Sequence, residues 1–106
     1  MNLKSFFLDM KEKIDPSTVV GHNTNFHFDV EGEQGGQITI EIKDGEVAIL
    51  DGFQGDPKCV VRSKDATLMG ILKGEVNPMT ALFMGKIKIS NPGEMMKYAK
   101  VFGLMK

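Results

Sequence analysis

The period of the apolar positions changes several times along the chain, and each change marks a boundary between elements. Leu3, Phe6, Phe7, Met10 and Ile14 recur at helical spacing, which predicts a helix over residues 3–14. Asp15-Pro16 stops it, because the residue before a proline is pushed out of the helical region. After a polar stretch the period becomes two. In "FHFDV", Phe26, Phe28 and Val30 face one way, with His27 and Asp29 on the polar side. "QITIEIK" alternates again through Ile38, Ile40 and Ile42. Asp44-Gly45 is a strong signal for a two-residue hairpin. That hairpin would pair Lys43 with Glu46, Ile42 with Val47 and Ile40 with Ile49, so apolar meets apolar and opposite charges meet. A glycine-rich turn over 51–57 leads to a short fourth strand, "CVVRS".

The helical period then returns. Ser63 is a candidate cap for a helix carrying Leu68, Ile71 and Leu72, with Gly74 beyond its end. Asn77-Pro78 opens a further helix with Met79, Leu82 and Phe83 on one face, and Gly85 ends it. "KIKIS" is a fifth strand with Ile87 and Ile89 facing inward and Lys86 and Lys88 outward. Asn91-Pro92-Gly93-Glu94 has the form of a capping box for a last helix rich in methionine. The order is helix, four strands, two helices, strand, helix. Strands and helices are segregated, which predicts an α+β fold in which a mainly antiparallel sheet carries helices on one face. With no internal boundary in sight, residues 1–106 form one domain.

Composition narrows the functional classes. The formal net charge is −1, with 13 basic and 14 acidic side chains, so there is no electrostatic footprint for nucleic acid. The lone cysteine makes neither an internal disulfide nor a zinc site, which points to a reducing, cytoplasmic setting. No run of residues approaches the length of a membrane span. Candidate chemistry is sparse. His22 and His27 are the only histidines and lack convergent metal ligands, so exposed surface positions are expected for both. Cys59 has no neighbouring base, and a buried, inert thiol is expected. "GFQGD" at 52–56 leads into a strand rather than a helix, so it does not cradle a phosphate. No cofactor is implied.

What does stand out is greasy surface. Eight methionines and seven phenylalanines are present, and residues beyond 66 are crowded with apolar side chains. Either the core there is large and ordinary, or the C-terminal elements enclose a cavity suited to a hydrophobic ligand.

The segment "LMGILKGEVNPMTALFMGKIKI", followed by "EMMKYAKVFGLM", resembles the sterol-carrier-protein family of non-specific lipid-transfer proteins. The hairpin at Asp44-Gly45 and the strand after "GDPK" fit the same pattern, so the resemblance runs from about residue 24 to 105. It implies a five-stranded sheet covered by helices, with an apolar tunnel between the sheet and the C-terminal helices. It also implies binding or transfer of a hydrophobic lipid (fatty acid, acyl-coenzyme A, phospholipid or sterol-like) without catalysis. Carried over by position, the cavity-lining residues would be Leu72, Met79, Leu82, Phe83, Ile87, Ile89, Met95, Met96, Ala99 and Phe102. Stable membrane insertion is not implied. A second reading makes the chain a dimeric accessory protein that uses the same fold to support a partner enzyme, burying Met96, Tyr98 and Met105 against the partner. A third, enzymatic reading would rest on Cys59 or His27.

Overall fold

The computed structural model of the chain describes residues 3–98 and Val101. It contains α1 (Leu3–Lys13), a single 3-10 turn (Pro16–Thr18), β1 (Thr24–Glu31), β2 (Gly36–Lys43), β3 (Glu46–Asp51) and β4 (Cys59–Lys64). There follow α2 (Asp65–Leu72), α3 (Pro78–Phe83), β5 (Ile87–Ile89) and α4 (Pro92–Lys97). The five strands form one sheet in the order β3-β2-β1-β4-β5. Three of the four ladders are antiparallel, and β1 pairs with β4 in parallel. The fold is therefore α+β with a mixed, mainly antiparallel sheet.

The hairpin register follows the apolar alternation. Lys43 pairs with Glu46, Ile42 with Val47 and Ile40 with Ile49. Asp44 and Gly45 both take positive φ, 54° and 81°. A two-residue turn needs this if its twist is to match that of the strands it joins. The ladders then line up rows of side chains across the inner face. One row runs Ile38–Phe28–Val61–Ile89, and the next runs Ile49–Ile40–Phe26–Cys59. Phe26, Ile40, Cys59 and Val61 are wholly buried. All four helices lie over this face: α1 against β2 and β3, α2 against β1 and β4, α3 against β5 and α4 against β4. Leu3 and Phe7 seat α1 on the sheet, and the Phe7 ring lies 4.9 Å from that of Phe28.

Two local expectations change. Ser63 does not cap α2, because β4 runs on to Lys64 and the residue at the cap position, Lys64, makes no capping bond through its side chain. Strand pairing with β5 takes Ser63 instead, opposite Ile87. His27 lies on the outer face but is buried rather than exposed. The segment between β3 and β4 folds back over it, stacking Phe53 on its ring at 4.7 Å and setting the Gln54 carbonyl 3.1 Å from its Nε2. The same segment accepts a hydrogen bond from Thr39 through the Gly52 carbonyl and returns one from the Gln54 N–H.

Candidate functional site: an apolar cavity between sheet and helices

A cavity of about 410 Å³ opens between the inner face of the sheet and the helices that follow β4. Its floor comes from the register just described: Phe28, Val61 and Ile89 stand in one row across β1, β4 and β5, and Ile87 adds the next position of the edge strand. Helix α2 contributes Leu68, Ile71 and Leu72, which helical spacing places on one side. Helix α3 contributes Pro78, Met79 and Leu82, and α4 contributes Pro92, Met95 and Met96. Phe7 of α1 completes the lining.

Why the helices sit where they do is readable locally. A Cβ on Gly70 would meet the Val76 side chain at 2.6 Å, so a larger residue there would have to push that side chain aside where the chain folds back after α2. The N–H groups of Glu75 and Val76 both donate to the Gly70 carbonyl in that return. Asn77 then caps α3 by accepting hydrogen bonds from Met79 N (2.9 Å) and Thr80 N (3.2 Å), with Pro78 at the first position. Asn91 caps α4 through the Glu94 N–H. The reciprocal arm of a capping box does not form, because the Glu94 carboxylate turns to the sheet and accepts a 2.6 Å hydrogen bond from Thr24. This bond ties α4 to the start of β1. Tyr98 adds an edge-on contact with Phe26 and a 3.1 Å hydrogen bond to His22.

The Thr24 hydroxyl, with help from Lys97, holds the Glu94 carboxyl below its ordinary range. A lowered folded-state pKa stabilises the fold above the unfolded value of about 4.3, and that contribution is lost as the pH falls through the folded value. Below pH about 4.3 the melting temperature should therefore fall more steeply for the native chain than for Glu94→Gln. Parallel slopes in a pH series of thermal melts would contradict the assignment.

The cavity wall is almost entirely carbon and sulfur. Among the described residues no charged side chain lines it, and its one polar side chain, Asn77, is engaged as a helix cap. Burial pushes the Cys59 thiol up, away from the reactive thiolate. Among the described residues no group of three or more His, Cys, Asp or Glu side chains could hold a metal ion. No described helix is long and apolar enough to cross a membrane.

The ten positions carried over from the family resemblance distribute as follows. Leu72, Met79, Leu82, Ile87, Ile89, Met95 and Met96 line the cavity. Phe83 does not: it is 95% exposed. The next residue on a helix lies about 100° around from its neighbour, so Leu82 turned toward the sheet leaves Phe83 facing out. Ala99 and Phe102 lie outside the described residues. The sequence reading did not single out the lining positions Phe7, Phe28, Val61, Leu68 and Ile71. Alternation or helical spacing marks Phe7, Phe28, Leu68 and Ile71 as inward-facing, whereas Val61 is read only as part of the short strand "CVVRS". What it could not show is which inward-facing groups meet solid packing and which meet open space.

Comparison with known proteins agrees with this architecture. Residues 3–106 match the SCP-2 sterol transfer family. Sterol carrier protein 2 of Bos taurus is 33% identical over 76 residues, which cover 68% of this chain and 14% of that protein. The chain thus spans only a small part of the curated relatives it matches. In structure it resembles palmitated SCP2L2 from Aedes aegypti, with a TM-score of 0.72 and 20% identity over 96% of this chain and 95% of that one. The sec-alkylsulfatase Pisa1 from Pseudomonas sp. gives a TM-score of 0.81 and 20% identity over 100% of this chain but 16% of the enzyme. Fold, cavity and sequence match lead to one conclusion: the chain belongs to the SCP-2 sterol transfer family.

Proposed function

We propose that the chain binds or transfers a hydrophobic lipid by holding its hydrocarbon part in the cavity, and that it performs no chemistry on it. The observation that carries this reading is the composition of the cavity wall. A 410 Å³ space lined by aliphatic, aromatic and thioether groups offers a ligand burial and little else. Burial contributes about 0.8 kcal/mol per methylene. A long acyl chain therefore gains on the order of 10 kcal/mol gross, part of which is offset by the freedom the ligand loses on binding. That driving force has no direction, so the ligand is selected by length and girth rather than by functional group. Fatty acids, acyl-coenzyme A, phospholipids and sterol-like molecules share the required hydrocarbon. Leu72, Met79, Leu82, Ile87, Ile89, Met95 and Met96 are the proposed contacts, and the three methionines suit a wall that adapts to several shapes. The relative from Aedes aegypti was solved in a palmitated form, which supports an acyl chain as ligand.

The test is titration with a fluorescent long-chain fatty acid, together with mass spectrometry of the lipid that stays with the purified protein. Saturable binding of one chain per protein is expected. No binding, and no lipid retained, would overturn the proposal.

One observation favours a second reading. The same fold makes up 16% of an alkylsulfatase chain, where it accompanies an enzyme. On this reading the chain supports a partner enzyme, as a dimer or as an accessory unit. Light scattering after size exclusion, with and without fatty acid, separates the two: a dimer indifferent to lipid favours the accessory role.

A further inference from the structure

We propose that Asn77 receives the polar end of the ligand, its side-chain amide donating to the carboxylate of a fatty acid whose hydrocarbon fills the cavity. The inference rests on the reading that the cavity takes a lipid. Burial sets the affinity and is blind to the functional group, and this one contact adds a direction to it. The cavity lining divides by exposure. Phe7, Phe28, Val61 and Ile71 are among its buried members. Asn77, Met79, Pro92 and Met96 are exposed, so the cavity meets the outside beside α3 and α4. A carboxylate drawn into the carbon-lined interior would give up its water for no partner. The charged end of an acid therefore stays at the opening, and of the four exposed lining residues Asn77 alone carries a polar side chain.

The capping bonds decide which end of that amide is available. Its Oδ1 accepts from the N–H groups of Met79 and Thr80, at 2.9 Å and 3.2 Å. The oxygen is thereby committed to the helix, and the NH2 is the end left to offer a ligand. Among the described residues the NH2 has no acceptor within the chain. A group that only donates suits an acceptor, and a carboxylate above all, because a hydrogen bond to an ionised oxygen is stronger than one to a neutral oxygen. It does not suit an ammonium, which has donors alone. Lys73 and Glu75 are exposed in the turn between α2 and α3, but they are of opposite sign and neither lines the cavity. Asn77 thus does two jobs at once, and they can be separated. Aspartate and serine cap a helix as well as asparagine does, yet neither carries the NH2.

The experiment titrates the native chain, Asn77→Asp and Asn77→Ser calorimetrically with a long-chain fatty acid and with an alkylamine of the same chain length, at neutral pH. The two ligands share their hydrocarbon, so the ratio of their affinities isolates the polar end. The native chain should prefer the acid. Asn77→Ser should weaken acid binding about tenfold and leave the amine unchanged. Asn77→Asp should weaken the acid by at least about as much, strengthen the amine and so reverse the preference, with the melting temperature kept near native by the retained cap. A native ratio in the folded variants overturns the proposal. So does an equal loss of acid and amine together with a lower melting temperature, because Asn77 would then be a cap and nothing more. Should neither variant fold, the native chain still decides: the Asn77 side-chain amide resonances must move when the acid is added, and resonances that stay fixed overturn the assignment. A native chain that binds neither ligand removes the cavity reading and this assignment with it, whereas binding with an unchanged ratio removes the assignment alone.

Discussion

Replacing Leu72 with tryptophan is expected to weaken long-chain fatty-acid binding about thirtyfold without lowering the melting temperature. Leu72 ends α2, is half-buried and lines the cavity. The indole takes up room that would otherwise hold two or three methylenes of the ligand. At about 0.8 kcal/mol each, their loss costs about 2 kcal/mol of binding. A larger side chain usually strains a packed core, but here it enters open space beside Leu68, Ile71 and Met95, so the fold gains contacts instead. The two readouts oppose each other by design. Native affinity in the folded variant would show that the ligand sits elsewhere. A large loss of stability would show that the space is not available to a side chain.

Phe26→Ala is expected to destabilise the fold by about 3–5 kcal/mol, against a total stability of roughly 5–15 kcal/mol for a domain of this kind. Phe26 is wholly buried in the central strand, between Ile40 on one side and Cys59 on the other. Its ring meets that of Tyr98 edge-on at 5.7 Å, so its loss also loosens the end of α4. A fall in melting temperature of roughly 15–30 °C follows from the usual conversion for small domains. Phe83→Ala makes the same chemical change at a 95% exposed position and should shift stability by no more than about 0.5 kcal/mol. Similar melting curves for the two variants would contradict the core described here.

The local rules were the legible part of this chain. Alternation around Asp44-Gly45 set the β2–β3 register residue by residue. Asn77-Pro78 and Asn91-Pro92 announced where α3 and α4 start, because a side-chain acceptor followed by proline suits a helix start, whereas the last helix, read from the sequence as running over 92–105, is described only as Pro92–Lys97. The parallel pairing of β1 with β4 was harder to see, since it joins strands separated by a whole hairpin and no turn residue encodes it. His27 illustrates a related limit. Its position in the alternation gave the correct face, but burial came from a loop more than 20 residues later in the chain folding over that face. At the cavity, the resemblance indicated which stretch of chain surrounds the space. It could not fix rotation about a helix axis, and so Phe83 was grouped with Leu82 although the two point in different directions.

The most direct test of the account follows the methionine methyl groups by NMR while a long-chain fatty acid is added. Met79, Met95 and Met96 line the cavity, whereas Met10 on α1 does not and serves as an internal control. The account predicts that the first three methyl resonances shift together and saturate at one ligand per chain while Met10 stays fixed. Saturating fatty acid that leaves Met79, Met95 and Met96 unmoved would contradict it.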